Sequence, residues 1–199
     1  MTNCILAGVG GQGTVLASKI IAQSAMAKGW KARTAETIGM AQRGGCVVSH
    51  VRFGGEVYSP MVPLHMADVI IGFEPAEAVR CLPYLKPEGT VVVNRQAVMP
   101  VTASLSGFDY QAQTMLDYLK QSAAQLLVID GENICAACGS AKVLNVSLLG
   151  AAAASGALGI SVEEIAQTVH ERIAEKFIEL NLKALRMGAE AAGREKGKM

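Results

Sequence analysis

Residues 3–29 read NCILAGVGGQGTVLASKIIAQSAMAKG, and their order decides the fold. Residues 3–8 form a short apolar run that ends in glycine, the pattern of a strand buried on both faces of a parallel sheet. From 13 to 28 the apolar residues Val15, Leu16, Ile20 and Ala27 follow helical spacing, and Gly29 supplies a stop signal. Gly8, Gly10 and Gly13 fit G-x-G-x-x-G, with a strand before them and a helix after, which is the context that gives the motif meaning. Glycine lets backbone approach a phosphate closely, and the N–H groups and dipole at a helix start favour negative charge. Gly8, Gly10, Gly11, Gln12 and Gly13 are therefore the candidate binding residues of this turn.

Glu36 lies 23 residues after Gly13, at the end of a second strand pattern, where a ribose-binding carboxylate would sit. Three readings stay open on these residues. One is a nicotinamide-dependent oxidoreductase. A second is an interaction protein in which the glycines only make a tight strand-to-helix turn. A third is a subunit of a larger enzyme. The first lacks downstream support, because a hairpin pattern follows the first strand–helix–strand unit and the chain has no room for a second, catalytic domain.

Working outward, KARTAE (31–36) reads as a strand. In CVVSHVRF (46–53), Val47, Ser49, Val51 and Phe53 alternate with Cys46, Val48, His50 and Arg52. Gly54-Gly55 predicts a tight turn, with EVYS (56–59) returning as the hairpin partner. Strands are expected over 67–74, 89–95 and 125–130, and helices over 75–85, 114–124, 131–139 and 142–156. A long helix is expected over 161–192, with Ile165, Val169, Ile173, Phe177 and Leu180 as one apolar stripe and a kink or break near Glu175. Residues 96–112 read as a loop. The alternation of strands and helices predicts an α/β, three-layer, mainly parallel Rossmann-like sheet with an inserted β-hairpin and C-terminal helices. No linker or repeat divides residues 1–199, so a single domain is expected.

With 51% hydrophobic and 18% charged residues the chain can bury a full core, and a net charge of +1 gives nucleic acid no foothold. Residues 1–67 hold six Lys and Arg against two Glu, so a bound anion is expected in the N-terminal third. No apolar stretch is long enough to span a membrane, and no basic region precedes Asn3. The expectation is a cytoplasmic protein whose five cysteines are free thiols. Cys135 and Cys138 form C-x-x-C, but the other cysteines are scattered singly. The pair reads as two small apolar residues on one helix face, with no metal site. No nucleophile–histidine arrangement stands out, His65 and His170 have ordinary settings, and no catalytic residue is assigned.

The second distinctive stretch is IGMAQRGGCVVSHVRFGG, 38–55. A turn has no need of Arg43, nor a core strand of His50 and Arg52. GVGGQGTVLASKIIAQSA followed by AETIGMAQRGGCVVSHVRFG resembles the gamma subunit or gamma domain of the 2-oxoacid:ferredoxin oxidoreductases. ADVIIGFEPAEAVRCLPYLKPEGTVVVN and AKVLNVSLLGAAAA extend the resemblance over nearly the whole chain. Within that family the separate short chain and the GMAQRGG form are most similar to the beta subunits of the indolepyruvate enzymes.

The resemblance implies an accessory subunit of an enzyme that decarboxylates a 2-oxoacid on thiamine diphosphate. Electrons pass through 4Fe-4S clusters to ferredoxin, and coenzyme A leaves as the acyl thioester. Aryl pyruvates are the implied substrates; pyruvate, 2-oxoglutarate and branched-chain 2-oxoacids are the alternatives. Thiamine diphosphate and the clusters are expected on a large partner subunit, with no cofactor held tightly by this chain and contact with ferredoxin only indirect. The resemblance also sets Gln42, Arg43, Gly44 and Gly45 beside the Gly10–Gly13 turn. There Arg43 either contacts a phosphate of coenzyme A or anchors the subunit interface, with His50 and Arg52 behind as support. An apolar docking patch is expected, and the isolated chain is expected to hide it by self-association.

Overall fold

The sheet is built around β1 (Thr2–Val9), from which it grows in both directions. The computed structural model describes residues 1–36, 45–98 and 110–197. Along the chain β1 is followed by α1 (Thr14–Ala27), β2 (Ala32–Glu36), β3 (Cys46–Phe53), β4 (Ala67–Gly72), α2 (Pro75–Cys81) and β5 (Leu85–Asn94). Then come α3 (Ala112–Ser122), β6 (Gln125–Ile129), α4 (Gly131–Cys138), α5 (Leu144–Ser155), α6 (Val162–Arg172) and α7 (Glu175–Lys196). The sheet order is β2-β3-β1-β4-β5-β6. β1, β4, β5 and β6 are parallel, and β3 runs antiparallel to both β1 and β2. This is the expected mainly parallel α/β sheet with an inserted hairpin.

The hairpin is made differently from the expectation. EVYS (56–59) is not a strand. Its carbonyls are taken by side chains instead: Arg33 Nε donates to Val57 O at 2.8 Å, and Arg52 Nη1 to Ser59 O at 3.0 Å. The partner of β3 within the hairpin is β2, with Glu36 paired to Ser49 and Ala32 to Phe53. The other edge of β3 pairs with β1 over its whole length, from Thr2–Phe53 to Val9–Cys46.

Layers form because β1, β4 and β5 are buried on both faces. On one face Leu6, Val51, Phe53 and Ile71 pack under α1, α5 and α7. On the other, Ile5, Ile70, Val91 and Val93 pack under α2 and α3. The Ala-rich α5 is buried from Asn145 to Ala153, pressed between the sheet and α7. There a Cβ on Gly150 would lie 2.0 Å from Leu185 O, and one on Gly188 1.8 Å from Ser147 O. The two helix backbones touch where glycine leaves no side chain.

The long C-terminal helix is two. α6 opens with a capping box, Ser161 with Glu164, and ends at Ile173, whose backbone is extended; α7 restarts at Glu175. The break falls where a kink or break was expected, but it disrupts the expected stripe. Phe177 is 46% exposed, and α7 buries Ile178, Asn181, Ala184, Leu185 and Gly188 instead. α2 also stops earlier than expected, passing into a 3₁₀ turn over Leu82–Tyr84 that contains Pro83, which has no N–H to continue the ladder. No described helix is long and apolar enough to cross a membrane.

Candidate functional site

α1 leads from β1 toward the β2 side of the sheet, while α2 leads from β4 toward β5 on the opposite face. The strand order therefore reverses between β1 and β4, and the crevice beyond their C-terminal ends is where open α/β sheets bind ligands. The glycine loop lies there.

Gln12 fills that crevice. Its Oε1 accepts from Val9 N at 2.7 Å and its Nε2 donates to Phe73 O at 3.1 Å, so one carboxamide ties the end of β1 to the residue after β4. Gly8 makes room for it: a Cβ there would meet Gln12 Oε1 and Phe73 Cβ at 2.8 Å each. Asn94, at the end of β5, also donates to Phe73 O, at 3.3 Å, and accepts from Gly131 N at 3.2 Å where α4 begins. Gly13 caps α1 in the left-handed region, φ 85°, and a Cβ on it would strike Asn145 Nδ2 at 2.7 Å. Gly11 has φ 100°, and among the described residues nothing lies within 4 Å of its missing Cβ.

Two clefts adjoin the glycine loop. One, about 320 Å³, is lined by Gly10, Gly11, Gly13, Thr14, Val15 and Val47. It meets the start of α1, which has no side-chain cap and no acidic residue in its first turn. Unscreened backbone N–H groups beside bare glycine suit an anionic group. The other, about 450 Å³, is mostly apolar and takes in Gln12, Asn94, Gln96, Gly131, Cys135 and Leu144.

Below the crevice Glu74 is 2% exposed. Its carboxylate caps α2 by accepting from Glu77 N at 3.0 Å, and it also accepts from Tyr110 Oη and from Val98 N. Burial pushes its carboxyl above the usual range, and the hydrogen bonds from Tyr110 and the backbone pull the other way. It thus fastens Val98 and Tyr110 to the sheet end.

The sequence-predicted residues divide sharply. Gly8, Gly10, Gly11, Gln12 and Gly13 converge as described. Gln42, Arg43 and Gly44 lie outside the described residues, but their neighbour Gly45 accepts from Gly10 N at 2.8 Å, so the second motif's glycine end meets the first motif. Glu36 does not reach a ribose position. β3 stands between β2 and β1, which moves β2 about 5 Å further out than a direct neighbour. The Glu36 carboxylate is also held by Ser18 Oγ at 2.7 Å.

His50 and Arg52 do not support the glycine loop. Arg52 pairs with Asn3 at the far end of β1, and its Nε donates to Asn3 Oδ1 at 2.8 Å. His50 is buried edge-on to Tyr84, and its Nδ1 accepts from Val62 N at 3.2 Å. Burial lowers its pKa, which keeps it in the neutral form that can accept. Both residues hold the segment after β3.

All five cysteines are free. Cys135 and Cys138 pack against the larger core, and burial, with Cys138 beside it, raises the Cys135 pKa, away from a reactive thiolate. A 4Fe-4S cluster asks for four thiolates. Here the cysteines are spread over β1, β3, α2 and α4, and among the described residues no three His, Cys, Asp or Glu converge on a metal position. The residues present do not fit a cluster.

Sequence reasoning missed Glu74, Asn94 and Asn145. Two of them carried a signal: GFE and VVVN each put a polar residue directly after an apolar strand, at the sheet end where the glycine loop lies. Asn145 stood out only within the late-helix resemblance and was given no site role, since that role depends on α5 crossing above Gly13.

The profile of the family described as Pyruvate ferredoxin/flavodoxin oxidoreductase matches residues 3–191. The chain is 35% identical over 195 residues to Indolepyruvate oxidoreductase subunit IorB of Thermococcus kodakarensis, covering 96% of this chain and 95% of that one. It is 25% identical to the Pyruvate/ketoisovalerate oxidoreductases common subunit gamma of Pyrococcus furiosus, covering 90% of each. Among solved structures it matches a 2-oxoglutarate:ferredoxin oxidoreductase from Magnetococcus marinus, solved with 2-oxoglutarate, coenzyme A and succinyl-CoA bound, with a TM-score of 0.74. That match covers 97% of this chain but 31% of the other, at 19% identity, and speaks for the fold.

Proposed function

The chain belongs to the pyruvate ferredoxin/flavodoxin oxidoreductase family, and on that footing we propose that it is the accessory subunit of an indolepyruvate-type 2-oxoacid:ferredoxin oxidoreductase. The observation that carries the substrate class is the gap in identity. Relatives named for indolepyruvate match at 35%, and the gamma subunit shared by pyruvate and ketoisovalerate enzymes matches at 25%. Residues 1–199 act as one gamma-type domain in this reading. In this reading thiamine diphosphate and the clusters belong to a larger partner subunit; for the clusters the support is that this chain's cysteines are scattered and that no metal-binding group gathers among the described residues.

Coenzyme A is the ligand whose chemistry suits the glycine loop. Its phosphates match the open start of α1 in the cleft of about 320 Å³. Gly11 and Gly13 supply bare backbone, Gly10 lines the cleft with its N–H held by Gly45 O, and Gln12 and Gly8 fix the loop. Gln42, Arg43 and Gly44 are assigned to the same ligand from the sequence motif they share with Gly45, with Arg43 the cation for a phosphate. A dinucleotide fits less well, because Gln12 occupies the crevice and Glu36 is held by Ser18.

The test is co-expression with the large subunit, purification through a tag on this chain, and dye reduction with 2-oxoacid and coenzyme A. A brown complex that prefers indolepyruvate and phenylpyruvate over pyruvate is expected. A complex that prefers pyruvate would move the substrate class, and a colourless chain that purifies alone and binds NAD would overturn the subunit reading.

A further inference from the structure

Of the nine exposed large apolar side chains among the described residues, five gather at the sheet end opposite the glycine loop: Met1, Tyr58, Met61, Leu64 and Met66. Tyr58 is 83% exposed and Leu64 57%. Met1, Met61 and Met66 share one anchor, and Tyr58 and Leu64 lie on the same short segment. Arg52 donates to Ser59 O at 3.0 Å and Met61 O at 3.3 Å and meets Met1 Sδ at 3.6 Å. Asn3, bonded to Arg52, donates to Met66 O at 2.9 Å.

This is a built surface rather than a slack loop. Val57 and Val62 point inward and are buried, at 4% and 2% exposure. Arg33 holds the carbonyl of Val57, and His50 accepts from the N–H of Val62. His65 takes a left-handed backbone, φ 59°, and its N–H donates to Pro83 O at 3.0 Å. A non-glycine residue keeps that conformation where its surroundings over-determine it. The molecule thus holds the backbone still while turning thioethers, a leucine and a tyrosine toward solvent.

We propose that residues 57–66, with Met1, are the surface through which this chain docks onto the larger subunit; the inference rests on the accessory-subunit reading above. Three features select that occupant. Between Glu56 and Asp68 there is no Lys, Arg, Asp or Glu, so the surface is apolar in the manner of permanent complexes rather than passing encounters. The patch spans about ten residues, and a stable interface takes about 20–30 a side. A second copy meeting it through this patch alone would bury too little, whereas a larger chain extends beyond it. In the Magnetococcus marinus enzyme the same fold is 31% of a longer chain, so there it is joined to further polypeptide.

The experiment compares three forms of this chain, each co-expressed with the larger subunit: wild type, Met61→Asp/Leu64→Asp, and the control Tyr118→Asp/Phe177→Asp, whose sites are exposed but lie outside the patch. Affinity for the larger subunit, the Tm of the isolated chain and its mass in solution are measured. Wild type and control should hold the larger subunit alike, and the patch variant should bind at least about 30-fold more weakly with an unchanged Tm. Should that variant lose its Tm, Tyr58→Ser replaces it, with about 5-fold weakening expected. Undiminished binding by a folded patch variant overturns the proposal. So does a wild-type homodimer that the variant breaks while the complex with the larger subunit survives, since the patch would then belong to a second copy. A wild-type chain that retains no larger subunit overturns the accessory-subunit reading and the docking surface with it.

Discussion

At the crossing of α5 and α7 glycine removes atoms; in the loop from Gly8 to Gly13 it removes a conformational restriction. Gly150 and Gly188 are helical, and each would drive a Cβ to within 2.0 Å of a carbonyl on the other helix. Gly11 and Gly13 have positive φ, and Gly11 has nothing within 4 Å. The first pair is fixed by packing and has no ligand to meet. The second is set by backbone conformation, and at Gly11 it leaves space that no described residue enters. Glycine at a candidate site is therefore distinguished from glycine in a core by what its missing side chain would touch.

The strongest way to break this contrast is Gly188→Ala. Ser147 O belongs to helix backbone and cannot step aside, so the two helices must separate. A loss of about 3 kcal/mol is expected, lowering Tm by about 10 °C in thermal unfolding. Gly193→Ala, in the same helix with open space around it, should instead gain about 0.5 kcal/mol from helix propensity. Equal effects at the two positions would show that α5 and α7 do not touch as described.

Gly13→Ala should follow at about 2 kcal/mol, combining the left-handed φ with a contact to Asn145. Asn145→Ala should relieve the contact and leave the backbone strain, so the double variant should lose less than the sum of the singles. Strict additivity in denaturant unfolding would remove Asn145 from the account. Gln12→Ala comes next, at about 1.5 kcal/mol, for the two backbone groups left without the carboxamide. A neutral effect would mean that solvent replaces Gln12 in the crevice without cost.

The strand–glycine–helix unit was legible in the sequence because its pieces are contiguous: β1, the loop and α1 follow one another, and each carries its own local pattern. The place of β3 was not, because pairing with β1 is a choice between distant segments that alternation alone does not express. EVYS carries a strand pattern that loses to Arg33 and Arg52, two cations whose partners only the fold supplies. The break between α6 and α7 falls near Glu175 as expected, but the stripe drawn from Ile165 to Leu180 does not survive it, because α7 restarts with a different face toward the core. At the site, the glycines and Gln12 were readable from the motif. Glu74 and Asn94 act only once β4 stands beside β1 and β5 beside β4. Glu36 fitted its expected spacing and failed on topology, because the count of residues is blind to the strand inserted between.

Gly11→Ala has the smallest expected cost to the fold, about 1 kcal/mol for its φ of 100° and nothing for packing. That makes it the cleanest probe of what the loop is for. A methyl at this position stands in the cleft beside the start of α1 and keeps an approaching phosphate away from the backbone N–H groups. In the assembled enzyme the variant should raise KM for coenzyme A about tenfold, with KM for the 2-oxoacid and the yield of complex unchanged. Gly13→Ala cannot make this distinction, since its larger structural cost disturbs the loop as well as the cleft. If Gly11→Ala changes neither KM, the glycines serve only the turn from β1 into α1, and the contrast with Gly150 and Gly188 becomes one of backbone conformation against packing, with no ligand on either side.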